Sequence, residues 1–139
     1  MEVITEQIKV STRGNSEVVD ITEKIASILQ HHGLLEGSVT VFVVGSTASI
    51  TTTEYEPGLK KDIPDMLERL APSDMKYSHN NTWGDGNGHA HVRASFLGPS
   101  LVIPFSDNKL FLGTWQQIVL IDFDTRPRSR TIIVQLLGK

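Results

Sequence analysis

The apolar positions of the chain fall into two periods, and the change from one to the other divides it. Val3 to Val10 reads as a strand. Ile21, Ile25, Ile28 and Leu29 sit at i, i+4, i+7 and i+8, one face of a helix. Asp20 is placed to cap that helix, and Gly33 follows its end, where a left-handed residue is wanted. Val39 to Val44 is a continuous β-branched and aromatic run, the pattern of a buried strand, and Ser49 to Glu54 reads as another. Ile63, Met66, Leu67 and Leu70 define a second amphipathic helix, with Asp62 as cap and Pro64 in its first turn. Ala71 to Gly88 has no apolar periodicity; loops of that length inside a compact domain are commonly functional or disordered.

Beyond that loop the pattern predicts strands alone: His89 to Leu97, Leu101 to Phe105, Leu110 to Leu112, Gln116 to Phe123 and Thr131 to Leu137. Ser106-Asp107-Asn108 reads as a hairpin turn. Two helices among seven or so strands, with the strands bunched late, predict an α+β fold with a mixed or antiparallel sheet. A length of 139 residues, without repeat or linker, suits one domain over residues 1–139.

Composition narrows the chemistry. There is no cysteine, which removes disulfides, thiolate nucleophiles and zinc–thiolate sites, and fits a reducing cytoplasm. A formal charge of −3 argues against a nucleic-acid partner. No apolar run approaches the roughly 20 residues that span a bilayer, and the opening MEVITEQIKV does not read as a secretory signal. Arg126 to Arg130 is locally basic and reads as a solvated turn.

Candidate chemistry concentrates in HNNTWGDGNGHAHVRAS, His79 to Ser95. On a strand, His89, His91, Arg93 and Ser95 leave the same face, opposite Ala90, Val92, Ala94 and Phe96. Two imidazoles in such a row can converge on one ion, with His79 or Asp85 completing a nitrogen-and-oxygen site, and the same row also reads as a plain polar strand face. Gly84, Gly86 and Gly88 alternate around Asp85 and Asn87; such turns are either anion-binding nests, with Arg93 supplying further donors, or surface loops. Glu54 and Glu56 are a candidate base or a hold for hydrated Mg²⁺, or a polar strand end before the Pro57-Gly58 turn. Gly45-Ser46-Thr47-Ala48-Ser49 is no P-loop, since the second glycine and the lysine are absent, and no G-x-S-x-G elbow marks a serine nucleophile. His31 and His32 end a helix and read as structural.

The segments GSTASITTTEYEPGL, YSHNNTWGDGNGHAHVRASFLGPS and LGTWQQIVLIDFD, in this order and spacing, closely resemble the YjbQ family, the secondary thiamine-phosphate synthase proteins, over nearly the whole chain. The resemblance implies an α+β domain that assembles as a homotrimer. It also implies a weak transferase activity that joins a pyrimidine-methyl diphosphate to a thiazole phosphate and releases pyrophosphate. By position its motif residues fall at His79, His89, His91, Arg93 and Glu54, with its Asp-Asn region at Asp85 and Asn87. Reading the residues together, we expect catalytic roles for His79, His89, His91, Glu54 and Arg93, phosphate binding by Arg93, Gly84, Gly86, Asn87, Gly88 and Ser95, and a divalent metal, Mg or Zn, on His79, His89, His91 and Asp85. The chain departs from the family pattern at Gly45, where much of the family has the histidine of H-T-T-A, and at Thr53, where it has asparagine. Two rival readings share this pocket: a metal-dependent hydrolase of a small phosphorylated metabolite, and a non-catalytic trimeric ligand-binding protein.

Overall fold

A computed structural model describes all residues, 1–139. Two antiparallel sheets form the frame. The larger has five strands in the order β1 (Glu2–Thr12), β8 (Arg128–Gly138), β3 (Glu36–Val44), β5 (Ser100–Ser106), β6 (Lys109–Leu110). The smaller runs β2 (Glu17–Asp20), β7 (Gln117–Asp122), β4 (Ala48–Thr53). The fold is therefore α+β, as the late bunching of strands predicts.

Strand β7 explains the architecture. Its residues Ile118 to Phe123 are all fully buried, and alternate positions serve different cores. Ile118 and Leu120 pack with Val39, Val41, Val43, Ile132, Val134 and Leu136 of the large sheet and with Ile25 and Leu29 of α1 (Thr22–His32). Val119, Ile121 and Phe123 pack on the other side against Leu67 of α2 (Pro57–Leu70) and Ala90 and Ala94 of α4 (Gly88–Leu97). The small sheet is a middle layer, and a strand buried on both faces has no reason to alternate polar and apolar residues.

Several boundaries differ from the sequence reading, each for a physical reason. His89 to Leu97 is helix, not strand. Ala90, Ala94 and Leu97 recur at i, i+4 and i+7 and dock on the small sheet, while Val92 and Phe96, core-facing on a strand, are exposed. The Ala71–Gly88 loop contains a short helix, α3 (Ser78–Trp83), closed by Gly84 in the left-handed region (φ 70°). Helix α2 begins at Pro57 and not near Asp62. The Glu56 carboxylate accepts from the Gly58 and Leu59 amides, so Pro57 takes the first-turn position and Pro64 lies mid-helix. Strand β2 went unread in its short polar setting. Arg128 and Arg130 belong to β8 and not to a solvated turn.

The first helix ends at Gly33 as expected, φ 68°. Its Asp20 sits one residue before the cap position, where its carboxylate accepts from the Thr22 amide and hydroxyl at 2.9 and 2.6 Å. The β5–β6 hairpin turns on Asp107 and Asn108, both at positive φ, as I′-type hairpins require.

Candidate functional site

At the mouth of the middle layer, two aspartates from the end of β7 meet two arginines from the start of β8. Arg130 grips Asp122 with two bonds, Nε to Oδ2 at 2.7 Å and Nη2 to Oδ1 at 2.8 Å. The Thr12 hydroxyl donates to Asp122 Oδ2 at 2.6 Å. Arg128 Nη2 donates to Asp124 Oδ2 at 2.7 Å, and Thr47 links the halves, accepting from Arg130 and donating to Asp124. Burial alone would raise both carboxyl groups. For Asp122, Arg130 and Thr12 outweigh it and hold the group below the usual carboxylate range. For Asp124, the Thr125 amide, Thr47 and Arg128 do so and bring it to about 2.

Gly45, the departure from the family pattern, lies against this network. It adopts φ +144°, and a Cβ there would stand 2.8 Å from Arg130 Nη1. The backbone angle and the guanidinium both favour glycine at this position.

Asn87 connects the network to the histidine segment. It is 5% exposed and lies in the hairpin between α3 and α4, where Gly84 and Gly86 (φ 70° and 68°) allow the chain to turn back sharply. Gly88 closes the turn with its amide on Asn80 Oδ1 at 2.9 Å, and a Cβ there would lie 2.5 Å from Tyr77 Cβ. With the Asn87 amide nitrogen toward Asp124 Oδ1, 3.4 Å away, its oxygen faces His79 Nε2 at 3.1 Å. That oxygen then also faces the Asp85 carboxylate at 2.9 and 3.1 Å. Turned over, the nitrogen donates to His79 and Asp85 instead. His79 Nε2 stands 3.5 Å from Asp85 Oδ1, and the His79 and His91 rings are 4.3 Å apart between centroids.

No three His, Asp or Glu side chains converge closely enough to hold an ion. The nearest approach to one is the pair His79 and Asp85 with His91 beside them, a nitrogen-and-oxygen set of the kind that suits zinc and its neighbours. The amide orientation of Asn87 that satisfies both of its ends turns its nitrogen, and not its oxygen, toward them.

The helical course of α4 breaks up the expected row. His91 and Asn87 stay with His79 and Asp85; His89 and Arg93 turn inward. His89 is buried beside Tyr77, its Nδ1 has no partner, and burial, with Arg93 second, lowers its pKa. Arg93, expected on phosphate, is 4% exposed and its guanidinium is already engaged. It donates twice to the Ala71 carbonyl, to Ser16 Oγ at 2.9 Å and to Glu68 Oε2 at 2.8 Å. The Ser73 amide, followed by Arg93, holds Glu68 at about 2. Ser95 Oγ donates to its own helix at the His91 carbonyl, and Glu54 lies exposed with no side-chain partner.

Sequence reasoning missed the Asp122–Asp124–Arg128–Arg130 network. Its signal was present: acids two apart in DFD at the end of a strand, and arginines two apart in RSR on one face of the next.

The sequence profile of the UPF0047 protein YjbQ-like family matches residues 6–139. A UPF0047 protein of Methanothermobacter thermautotrophicus is 38% identical over 139 residues, all of this chain and 95% of the relative. The UPF0047 protein YugU of Bacillus subtilis is 33% identical over 132 residues, covering 94% of this chain and 97% of YugU. The solved structure of a YbjQ-like protein of unknown function from Sulfolobus solfataricus P2 superposes with a TM-score of 0.94 at 38% identity, covering 99% of each chain. The fold and the sequence agree, and the chain belongs to the YjbQ/UPF0047 family.

Proposed function

We propose that this protein is a cation-dependent enzyme acting on a small phosphorylated metabolite, with thiamine-phosphate formation as the reaction to test first. The observation that supports this most is the approach of His79 to Asp85 and His91 in the α3–α4 hairpin, 3.5 Å to the Asp85 carboxylate and 4.3 Å between the two imidazole centroids. In the reading, His79 and Asp85 hold the ion, and His91, its ring beside that of His79, moves a proton or adds a ligand. Bound Mg²⁺ or Zn²⁺ supplies charge neutralisation for a departing diphosphate. In the same reading the Gly84–Gly88 hairpin orients the phosphates. Arg93 ties α4 to Ala71, Ser16 and Glu68.

In the transferase, the bond from the pyrimidine methylene to the diphosphate oxygen breaks and a bond from that carbon to the thiazole nitrogen forms. The family resemblance motivates this specific reaction. A sensitive assay for thiamine phosphate from the two precursors, with Mg²⁺ or Zn²⁺ supplied, should show turnover in the wild type. His79→Ala/His91→Ala should abolish it. Equal product from wild type and double variant would remove the transferase reading.

A homotrimer belongs to the same proposal. Phe42, Val44, Val102 and Leu137 are exposed on the face of the large sheet that no helix covers, and a subunit contact would bury them. Light scattering should return three times the chain mass.

A further inference from the structure

We infer that the cleft between the β1–β2 turn and the first half of α2 is an anion site, suited to a small phosphate monoester and separate from the histidine hairpin. The inference does not use the cation reading above. It rests on other residues, and its test is run with divalent ions chelated.

The cleft has a volume of about 610 Å³, within the range of small-ligand sites. Its charged side chains are Arg13, Glu17 and Lys60, so two cations meet one carboxylate in a chain whose formal charge is −3. Glu17 is already used by Arg13, accepting from its Nε and, at 3.0 Å, from its backbone amide. The two terminal guanidinium nitrogens of Arg13 have no protein acceptor. Lys60 has no carboxylate partner; its Nζ lies over the Tyr55 ring, 4.6 Å from the centroid. A phosphate oxygen is the acceptor that both cations lack, and charge on donor and acceptor makes such hydrogen bonds the strong ones.

The floor of the cleft carries a second, independent observation. Gly14, Asn15 and Ser16 run in succession through the left-handed region, at φ 82°, 55° and 64°. Glycine and asparagine adopt it routinely; serine does not, and strain of this kind collects at ligand-holding sites. The amides of Asn15 and Ser16 are spent on the Asp124 and Asp122 carbonyls, at 2.7 Å each, so the turn is no backbone anion nest. What it offers is the Ser16 side chain, 3% exposed and lining the cleft. Ser16 Oγ accepts from Arg93 Nη1 at 2.9 Å and donates to no protein group, which leaves a buried hydroxyl proton without an acceptor. A phosphate in the cleft supplies that acceptor. Arg93, held on the other side of Oγ, turns the proton away from itself and is a positioning residue for this site.

The test is a titration of tag-free, ¹⁵N-labelled protein with inorganic phosphate, followed by amide NMR at constant ionic strength with EDTA present. Wild type, His79→Ala, Ser16→Gly and the double variant Arg13→Gln/Lys60→Gln are compared. Wild type and His79→Ala should show the same saturable shifts at Asn15, Ser16 and Lys60. Arg13→Gln/Lys60→Gln, which alters two exposed side chains, should weaken the dissociation constant roughly tenfold or more. Ser16→Gly keeps the left-handed backbone, removes the hydroxyl, and should weaken it about threefold or more. No saturable shift at these amides in wild type overturns the inference. So do shifts confined to the Gly84–Gly88 hairpin, and so does a dissociation constant for the double variant within about twofold of wild type. Should Ser16→Gly not fold, the double variant decides alone. None of these outcomes depends on Zn²⁺ uptake, so this inference and the cation reading fail separately.

Discussion

On one side of Asn87 every polar group is answered. Asp122 has Arg130 and Thr12, Asp124 has Arg128, Thr47 and Thr125, and the arginines spend their donors on those carboxylates and on Thr47. On the other side, a few ångströms away, Asp85, His79 and His91 sit together, partly exposed and with no Lys or Arg among them. Both clusters are rich in ionisable groups and both sit near the same helix start. What separates them is closure: buried ionic groups that satisfy one another hold a fold together, whereas partly exposed groups with few partners have room for a ligand. Arg93 falls on the closed side despite its place in the histidine segment.

The difference can be broken from either side. Arg130→Met should have the largest effect on stability, because it leaves the fully buried Asp122 carboxylate without its cation; about 3–5 kcal/mol is expected in urea unfolding. A loss below about 1 kcal/mol would mean that this network is not the closed, structural side. Gly88→Ala, between the two clusters, forces a Cβ onto Tyr77 and should cost about 1–3 kcal/mol, moving α3 away from α4 and weakening Zn²⁺ uptake as well.

Acid comes next. Asp122 and Glu68 both have folded-state pKa values below their ordinary ones, Glu68 going from 4.5 to about 2. The Glu68 contribution is therefore complete above pH 4.5 and lost as the pH falls from there toward 2, and that of Asp122 is lost in the same direction as its carboxylate protonates. Arg93→Met should flatten the Glu68 part of that profile, and an unchanged acid limb would show that the Arg93–Glu68 pair contributes nothing. His79→Ala is expected to leave stability within about 0.5 kcal/mol of wild type, since its ring and its Asp85 partner are both partly exposed.

How far the sequence carried depended on whether local pattern and tertiary packing agreed. Helix α1 was legible because its apolar stripe and Gly33 point the same way. Strands β3, β5 and β8 were legible in outline, as β-rich runs within a residue or a few of their observed ends. In HAHVRASFL the apolar residues fit both periods: alternation gives Ala90, Val92, Ala94 and Phe96, and the helical stripe gives Ala90, Ala94 and Leu97. The flat, alanine-sized face that docks on β7 decides for helix, and no local signal carries that information. The candidate segment itself was found from its glycines and histidines. Its membership changed with the period, because residues two apart share a face on a strand and lie on nearly opposite faces of a helix. Asp122 to Arg130 was read as strand end and solvated turn because two strands far apart in their pairings had to meet before its charges met one another.

The claim at the centre is that the His79–Asp85–His91 cluster binds a divalent cation whereas the Asp122–Arg130 network binds none. Titrating tag-free wild type and His79→Ala with Zn²⁺ tests it directly. One ion per chain for wild type, lost in a His79→Ala protein of unchanged stability, is the predicted result; identical isotherms for the two proteins, or no uptake by either, would contradict it.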